Sequence, residues 1–146
     1  RDYSNNYKLN YKSLMPTNLY GPGDNYDSMD SHFFPALIKK IYRAKIKNKK
    51  KIFLWGSGNP KRELMFVDDL AEAVIYFMSK KFKESYLNIG TGKDYSIKWY
   101  ADFVSKQLNH KVSIKFNKLM PDGTKRKVLN VMWHLFLLVE NHILRI

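Results

Sequence analysis

Residues 55–70 read WGSGNPKRELMFVDDL, and this stretch decides how the chain is organised. An apolar Ile-Phe-Leu run leads into Trp55, after which a Gly- and Pro-rich segment predicts a tight reversal. Arg62 follows, and the next apolar run, LMFV, has the length of a strand. The pattern predicts two buried strands joined by a turn that holds a tryptophan and an arginine. One of these residues can stack on a ligand and the other can bind an anion, so the turn is a candidate binding site.

A helix is predicted directly after this stretch, because apolar residues recur at helical spacing from Leu70 to Met78. Asp68 and Asp69 stand where such a helix needs capping. They also resemble a catalytic carboxylate pair, but adjacent residues at a helix start point in different directions. We therefore interpret the two aspartates as a helix cap.

Strands and helices alternate along the rest of the chain. Residues 1–11 read as the last turns of a helix, and residues 16–26 as an ordered loop rich in Pro, Gly, Asn and Asp. Two amphipathic helices are predicted, one capped by Asp30 or Ser31 and one by Ser96. Further strands are predicted at 12–15, 86–89 and 112–116. This alternation is typical of an α/β architecture with some parallel pairing.

The composition describes a folded domain or part of one. The chain has 146 residues, of which 45% are hydrophobic and 15% aromatic, so it can form a packed core. No apolar run approaches the roughly 20 residues that a membrane helix needs. The absence of cysteine excludes a disulfide scaffold and a Cys-ligated metal site, and it is typical of a cytoplasmic protein.

The formal charge of +13 raises the local concentration of anions such as nucleic acid or nucleotide phosphates. The densest run of lysines, residues 45–51, falls at the end of a predicted helix, where cations interact favourably with the helix dipole. Charge alone therefore favours a solvated basic face over a nucleic-acid site.

Five motifs occur together in the chain: MPTNLYGPGDN, SHFFPALI, WGSGNPKRE, VDDLA and PDGTKRK. In this order and spacing, residues 1 to about 131 closely resemble the C-terminal half of the GDP-L-fucose synthase family. These are extended short-chain dehydrogenase/reductases within the NAD-dependent epimerase/dehydratase family. The resemblance implies an α/β fold: the C-terminal part of an NAD(P)-binding Rossmann-type enzyme, with its small substrate-binding subdomain. It also implies NADPH-dependent epimerisation and reduction of GDP-4-keto-6-deoxy-D-mannose to GDP-L-fucose.

The same resemblance implies roles for individual residues. His32 matches the acid of epimerisation and lies close to the cofactor, and an imidazole with a pKa near 6.5 can act as acid or base. Arg62 suits bidentate binding of a diphosphate. The residues implied to lie against the nicotinamide of NADP are Pro16, Thr17, Asn18 and Leu19. Those implied to contact the nucleotide sugar are Lys40, Trp55, Arg62 and Asp122. No metal site is implied.

Structural alternatives remain for three of these residues. Trp55 could be part of the core, since a Trp after an apolar strand usually packs. Arg62 could pair with Glu63 or with a neighbouring carboxylate on the surface. His32 could have a purely structural role at the start of a helix.

The sequence contains no G-x-x-G-x-x-G phosphate loop. We therefore expect the N-terminal dinucleotide-binding half, with its Tyr-x-x-x-Lys pair, to be missing from this chain, and the isolated fragment to be inactive. An intact enzyme of this family would be expected to form a homodimer, mainly through the missing half. From Met132 onward the sequence departs from the family pattern, so residues 132–146 are expected to be a divergent tail.

Other functions remain open at this point. One is another NAD(P)-dependent nucleotide-sugar epimerase or dehydratase, which would share the loop and the VDD helix. A second is a basic nucleic-acid-binding module, although the chain has no zinc-ligand spacing and no aromatic RNA-binding signature. A third is a non-catalytic remnant that binds nothing.

Overall fold

The computed structural model describes residues 2–8, 11–27, 30–81 and 84–131. In chain order, the elements are α1 (Asp2–Tyr7), β1 (Ser13–Pro16), β2 (Asn18–Tyr20), α2 (Phe33–Ile46), β3 (Lys51–Trp55), β4 (Lys61–Phe66), α3 (Val67–Met78), β5 (Tyr86–Ile89), β6 (Asp94–Ser96), α4 (Ile97–Gln107), β7 (Ser113–Asn117) and β8 (Arg126–Lys127). The predicted tail, residues 132–146, lies outside the described residues.

The strands form three hydrogen-bonded groups. β1 pairs with β5, and β3 pairs with β7, both in parallel. β4 pairs in parallel with β2 and with β8, and antiparallel with β6. The mixture of helices with mainly parallel strands confirms the predicted α/β class.

Apolar side chains pack in two clusters, and β4 contributes to both. Leu64 packs in the first cluster and Met65 in the second, because consecutive strand residues point to opposite faces. The first cluster lies under α2 and α4, where Ile41 and Tyr100 are almost completely buried. The second cluster joins β4 to α3 and β5, with Ile89 fully buried. β4 is therefore the element on which both cores are built.

The two strands of the opening stretch belong to different sheets. β3 and β4 do not pair with each other, since β3 pairs with β7 and β4 with β2, β6 and β8. The Gly- and Pro-rich segment between them therefore carries the chain from one sheet to another. Only alternate residues of β3 are buried, so this strand has one open face.

Helix starts match the sequence predictions in part. Ser96 caps α4 as predicted, and its hydroxyl accepts a hydrogen bond from the amide of Trp99 at 3.1 Å. The prediction of Asp30 or Ser31 as the cap of α2 is wrong, because His32 occupies that position without a capping hydrogen bond. The expected Asp68–Asp69 cap is also wrong: Phe66 is the N-cap of α3. Both aspartates lie in the first turn, where a negative charge still interacts favourably with the helix dipole.

The lysine-rich run at 45–51 is exposed and follows α2, with Lys45 in the last turn of that helix. Among the described residues, no helix is both long enough and apolar enough to cross a membrane.

Candidate functional site

The segment predicted to face a cofactor begins at the carboxyl end of β1. Pro16 ends β1, and Asn18 and Leu19 already belong to β2, so the prediction of a loop over residues 16–26 is wrong at residues 18–20. The main chain of the segment is anchored on one side, because the amide of Thr17 donates to the carbonyl of Ile89 at 2.9 Å. On the other side, the Asn18 side-chain amide donates to the carbonyl of Glu63 at 2.9 Å. The hydroxyl of Thr17 donates to the same carbonyl at 3.5 Å. The loop thus lies where parallel strands end, which is the usual ligand-binding edge of an open α/β sheet.

The two flanking residues of this loop have different environments. Pro16 is exposed, and Leu19 packs against the second core cluster. The polar side chains of the loop hold it in place, so Pro16 is its accessible surface. This arrangement fits a loop that lies flat against the ring of a cofactor.

His32 and Lys40 both belong to the region of α2, and both are exposed. His32 is the N-cap residue, in an extended conformation, and its imidazole makes no capping hydrogen bond. Its ring is thus available for proton transfer. Next to Lys40, the Lys39 ammonium donates to the carbonyl of Tyr26 and ties α2 to the loop before it.

Trp55 ends β3 opposite Asn117 of β7, and 69% of its surface is exposed. The amide of Gly56, the next residue, donates to the carbonyl of Asn117 at 3.0 Å. This exposure excludes the interpretation of Trp55 as a core residue. The indole is free to stack on a ligand.

Arg62 lies near the start of β4 and is half-buried. Its Nη1 donates to the carbonyl of Lys61 at 2.8 Å and to that of Thr124 at 2.7 Å. Within the described part of the chain, Nε and Nη2 of Arg62 have no acceptor. In Arg126 the same two atoms grip the carboxylate of Asp94, at 2.6 and 3.1 Å. Arg62 therefore presents an unfilled fork that fits a bidentate anion.

Asp122 is exposed and holds Ser57, a residue of the segment that follows Trp55. Its Oδ1 accepts from the Ser57 amide at 2.5 Å, and its Oδ2 accepts from the Ser57 hydroxyl at 2.7 Å. These two donors, the backbone amide first, hold the pKa of Asp122 below its usual value. The carboxylate is consequently ionised and oriented.

Residues 121–131, here called the strap, bring Arg62 and Asp122 into one substructure. The amide of Lys61 donates to the carbonyl of Lys125 at 2.9 Å, and β8 then pairs with the first residues of β4. Further along, the Asn88 side-chain amide donates to the carbonyl of Asn130 at 2.8 Å. The motifs WGSGNPKRE and PDGTKRK therefore form one structural unit. Among the described residues, no hydrogen bond or ion pair joins the side chain of His32, Lys40 or Trp55 to that of Arg62 or Asp122.

The sequence analysis missed two buried residues behind this unit. Glu63 is fully buried and accepts hydrogen bonds from Thr91, Gly92 and Leu129, so the proposed surface pair of Arg62 with Glu63 is wrong. Tyr100 is also buried, and its hydroxyl donates to the carbonyl of Arg62 at 2.9 Å. A charged residue at the start of an apolar strand was the available signal for Glu63. Nothing in the local sequence distinguishes Tyr100 from the other aromatic residues of α4.

The described residues contain no group of three or more His, Asp or Glu side chains that could hold a metal ion.

Known proteins resemble this chain in sequence and in structure. The sequence model of the NAD dependent epimerase/dehydratase family matches residues 1–90. GDP-L-fucose synthase of Escherichia coli (strain K12) is 39% identical over 138 residues, which cover 88% of this chain and 43% of that protein. The chain therefore spans less than half the length of this relative.

Two solved structures extend the comparison. A GDP-L-fucose synthetase from Naegleria fowleri, bound to NADP, superposes with a TM-score of 0.77 at 26% identity, over 87% of this chain and 40% of that one. A GDP-mannoheptose C4 reductase from Campylobacter jejuni, with NADP bound, superposes with a TM-score of 0.79 at 28% identity. The second superposition covers 99% of this chain and 52% of the reductase.

Proposed function

Because this chain belongs to the NAD dependent epimerase/dehydratase family, we propose that it forms the nucleotide-sugar-binding part of an NADP-dependent epimerase and reductase. The proposed substrate is GDP-4-keto-6-deoxy-D-mannose and the proposed product GDP-L-fucose. The similarity to GDP-L-fucose synthases supports this substrate. In this proposal residues 1–131 are the C-terminal sheet elements and substrate-binding subdomain, and the isolated chain does not turn over substrate.

The unfilled fork of Arg62 is the observation that carries the proposal. Thr124 holds one terminal nitrogen, so the guanidinium is fixed before any ligand arrives. The remaining Nε and Nη2 present two parallel donors, the geometry that a phosphate group accepts. A diphosphate bridging a nucleoside and a sugar has the charge and the oxygen spacing to bind there.

The other substrate contacts would surround this anion site. Trp55, exposed at the end of β3, would border the sugar with its flat ring. Asp122, at the start of the strap, has a fixed and ionised carboxylate whose spare lone pairs can accept from N–H groups of the nucleoside. Lys40, exposed on α2, would add positive charge for the nucleotide sugar.

The cofactor loop and His32 would serve the chemical steps. The reduced cofactor NADPH, when bound, would supply the hydride for reduction of a ketone. Pro16, Thr17, Asn18 and Leu19 would hold the nicotinamide end in place, since their own hydrogen bonds to the two sheets leave the loop rigid. His32 would deliver a proton to the carbon that is inverted beside the ketone, because its imidazole is exposed and free of a capping bond.

The C4 reductase from Campylobacter jejuni supports an alternative within the same class, in which the chain binds another GDP-sugar. Calorimetric titration of the 146-residue chain with GDP-L-fucose, GDP-mannose, UDP-glucose and dTDP-glucose tests the class of GDP-sugars that both possibilities share. We expect binding of the GDP-sugars alone. Equal affinity for the UDP- or dTDP-sugar would refute the proposed substrate class.

The role of Arg62 is tested by Arg62→Ala and Arg62→Lys in the same titration. Loss of charged hydrogen bonds of about 1.5–3 kcal/mol predicts that Arg62→Ala weakens GDP-L-fucose binding by roughly 10- to 150-fold. Arg62→Lys keeps the charge and loses the fork, so an intermediate loss is expected. Arg43→Ala, an exposed arginine of α2, is the matched control and should bind as the wild type does. Unchanged affinity in Arg62→Ala would contradict the proposal.

A further inference from the structure

Glu63 is a fully buried carboxylate with a donor for each oxygen. Oε1 accepts from the amide of Gly92 at 2.7 Å and from the hydroxyl of Thr91 at 3.2 Å. Oε2 accepts from the amide of Leu129 at 2.8 Å. A buried carboxylate is tolerated only when hydrogen-bond donors replace the water that it has lost. Glu63 therefore needs these three contacts in order to occupy its buried position.

The three contacts reach two separate parts of the chain. Thr91 and Gly92 belong to the turn between β5 and β6, and Leu129 belongs to the strap. The backbone at Gly90 packs closely against the carboxylate, because a Cβ added at Gly90 would clash with Oε1. Glu63 thus fastens the strap to the sheet from inside the protein.

Residue 63 also contacts the first residue of β2 and the residue before it. Its carbonyl accepts the side-chain amide of Asn18 and, at longer range, the hydroxyl of Thr17. One residue of β4 therefore joins the proposed cofactor loop, the turn at 90–92 and the strap. Its neighbour in sequence is Arg62.

The other side-chain attachments of the strap differ from this one, because they lie at the surface. Asp122 is exposed where it holds Ser57. Arg126 is 62% exposed where it binds Asp94, and the Asp94 side chain is 9% exposed. Water and salt weaken ion pairs and hydrogen bonds at such positions. The attachment at Glu63 is shielded, so it fixes the position of the strap most firmly.

We propose that Glu63 is a positioning residue of the nucleotide-sugar site. Its carboxylate holds the strap against β4 and thereby sets the distance between the Arg62 fork and Asp122. It does not touch the ligand itself. This inference rests on the proposed function of the Arg62 site, and it adds a residue that determines how well the nucleoside and the diphosphate are bound together.

The test measures two ligands on the 146-residue chain. GDP-L-fucose needs Arg62 and Asp122 at the correct separation, whereas inorganic pyrophosphate needs only the anion site. Glu63→Gln keeps the shape of the side chain. Its amide nitrogen cannot accept a hydrogen bond, so the donors that face one of the two carboxylate oxygens lose their acceptor. We expect a rise of about tenfold in the dissociation constant of GDP-L-fucose and less than about threefold for pyrophosphate. A variant that merely unfolds would lose both ligands.

Matched variants keep the inference falsifiable. Gly90→Ala retains the carboxylate but displaces it, so the same pattern of ligand loss is expected. Thr91→Val removes a hydroxyl that contacts both Glu63 and the backbone of Lys93, and it should weaken GDP-L-fucose binding by about threefold, while Thr91→Ser restores the hydroxyl and the affinity. Glu72→Gln, at an exposed acid of α3, should bind both ligands as the wild type does.

Two outcomes separate this inference from the proposed function. If the wild-type chain binds no GDP-sugar, the proposed function fails, and the positioning role fails with it. If the wild type binds GDP-L-fucose and Glu63→Gln, Gly90→Ala and Thr91→Val bind it equally well, only the inference about Glu63 is overturned. If Glu63→Gln and Gly90→Ala do not fold, the comparison of Thr91→Val with Thr91→Ser decides the matter.

Discussion

Replacing Tyr100 by phenylalanine tests how the core supports the strand that carries Arg62. The ring of Tyr100 packs against Phe33 and Phe34, with centroids 5.8 and 5.6 Å away, and its hydroxyl donates to the carbonyl of Arg62 at 2.9 Å. Burial raises the pKa of Tyr100 above its ordinary value, so the hydroxyl stays protonated and remains a donor. Tyr100→Phe removes this hydrogen bond and keeps the ring.

The expected loss of stability follows from the carbonyl of Arg62, which loses its hydrogen-bond donor. A net hydrogen bond contributes about 0.5–1.5 kcal/mol, and a buried carbonyl without a partner costs about 1–3 kcal/mol. We therefore expect Tyr100→Phe to lower the free energy of unfolding by about 1–2 kcal/mol, which corresponds to about 2–8 °C in Tm for a chain of this length. Tyr100→Ala also removes the ring, so a loss of about 3–5 kcal/mol is expected.

Urea unfolding followed by far-UV circular dichroism measures these differences. Tyr42→Phe is the matched control, because Tyr42 is 51% exposed and its substitution should change stability by less than about 0.5 kcal/mol. The reasoning is refuted if Tyr100→Phe unfolds at the same urea concentration as the wild type. It is equally refuted if Tyr100→Phe loses as much stability as Tyr100→Ala.

Two further predictions concern the turn and the strap. Gly58 has a φ of +79°, and an added Cβ would lie 2.5 Å from the ring of Phe116. Gly58→Ala should therefore cost about 2 kcal/mol or more in urea unfolding, whereas Gly23→Ala, with a φ of +81° and open space, should cost only about 1 kcal/mol. Equal costs would contradict this. Second, Arg126 lowers the pKa of Asp94, and Ser57 lowers that of Asp122, below the ordinary 3.8. Because the folded pKa values are the lower ones, these attachments contribute stability above pH 3.8 and lose it as the pH falls through the folded values. Amide exchange of residues 121–131 should be flat from pH 8 to 5, after correction for intrinsic rates, and should rise below about pH 4; a rise near pH 6 would contradict the assignment.

Features that depend on nearby residues were predicted well from the sequence. The helix at 97–107 follows from apolar spacing and from the Ser96 hydroxyl, both of which act within one turn. The strand at 86–89 was predicted within the bounds observed. Local hydrogen bonds and side-chain periodicity determine these elements, so the sequence contains the information directly.

Features that depend on distant partners were predicted less well. The sequence around Trp55 does not show that β3 pairs with β7, about sixty residues further along. The start of α2 was predicted too early, and there the packing of Phe33 and Phe34 on Tyr100 accompanies a first turn that begins after His32. Tertiary contacts of this kind override local capping preferences.

The shape of the segment between Trp55 and Arg62 also depends on tertiary contacts. Trp55 ends a strand of one sheet and Arg62 lies in a strand of another, so the segment between them does not fix their separation. The strap contacts this segment near both of its ends, since Asp122 binds Ser57 and the carbonyl of Thr124 accepts a hydrogen bond from Arg62. The glycines allow the turn, whereas a segment about sixty residues later determines its geometry. In the proposed site, the affinity would then depend on how firmly the strap is held, and this is why we propose that a buried carboxylate that never meets the ligand controls how the ligand binds.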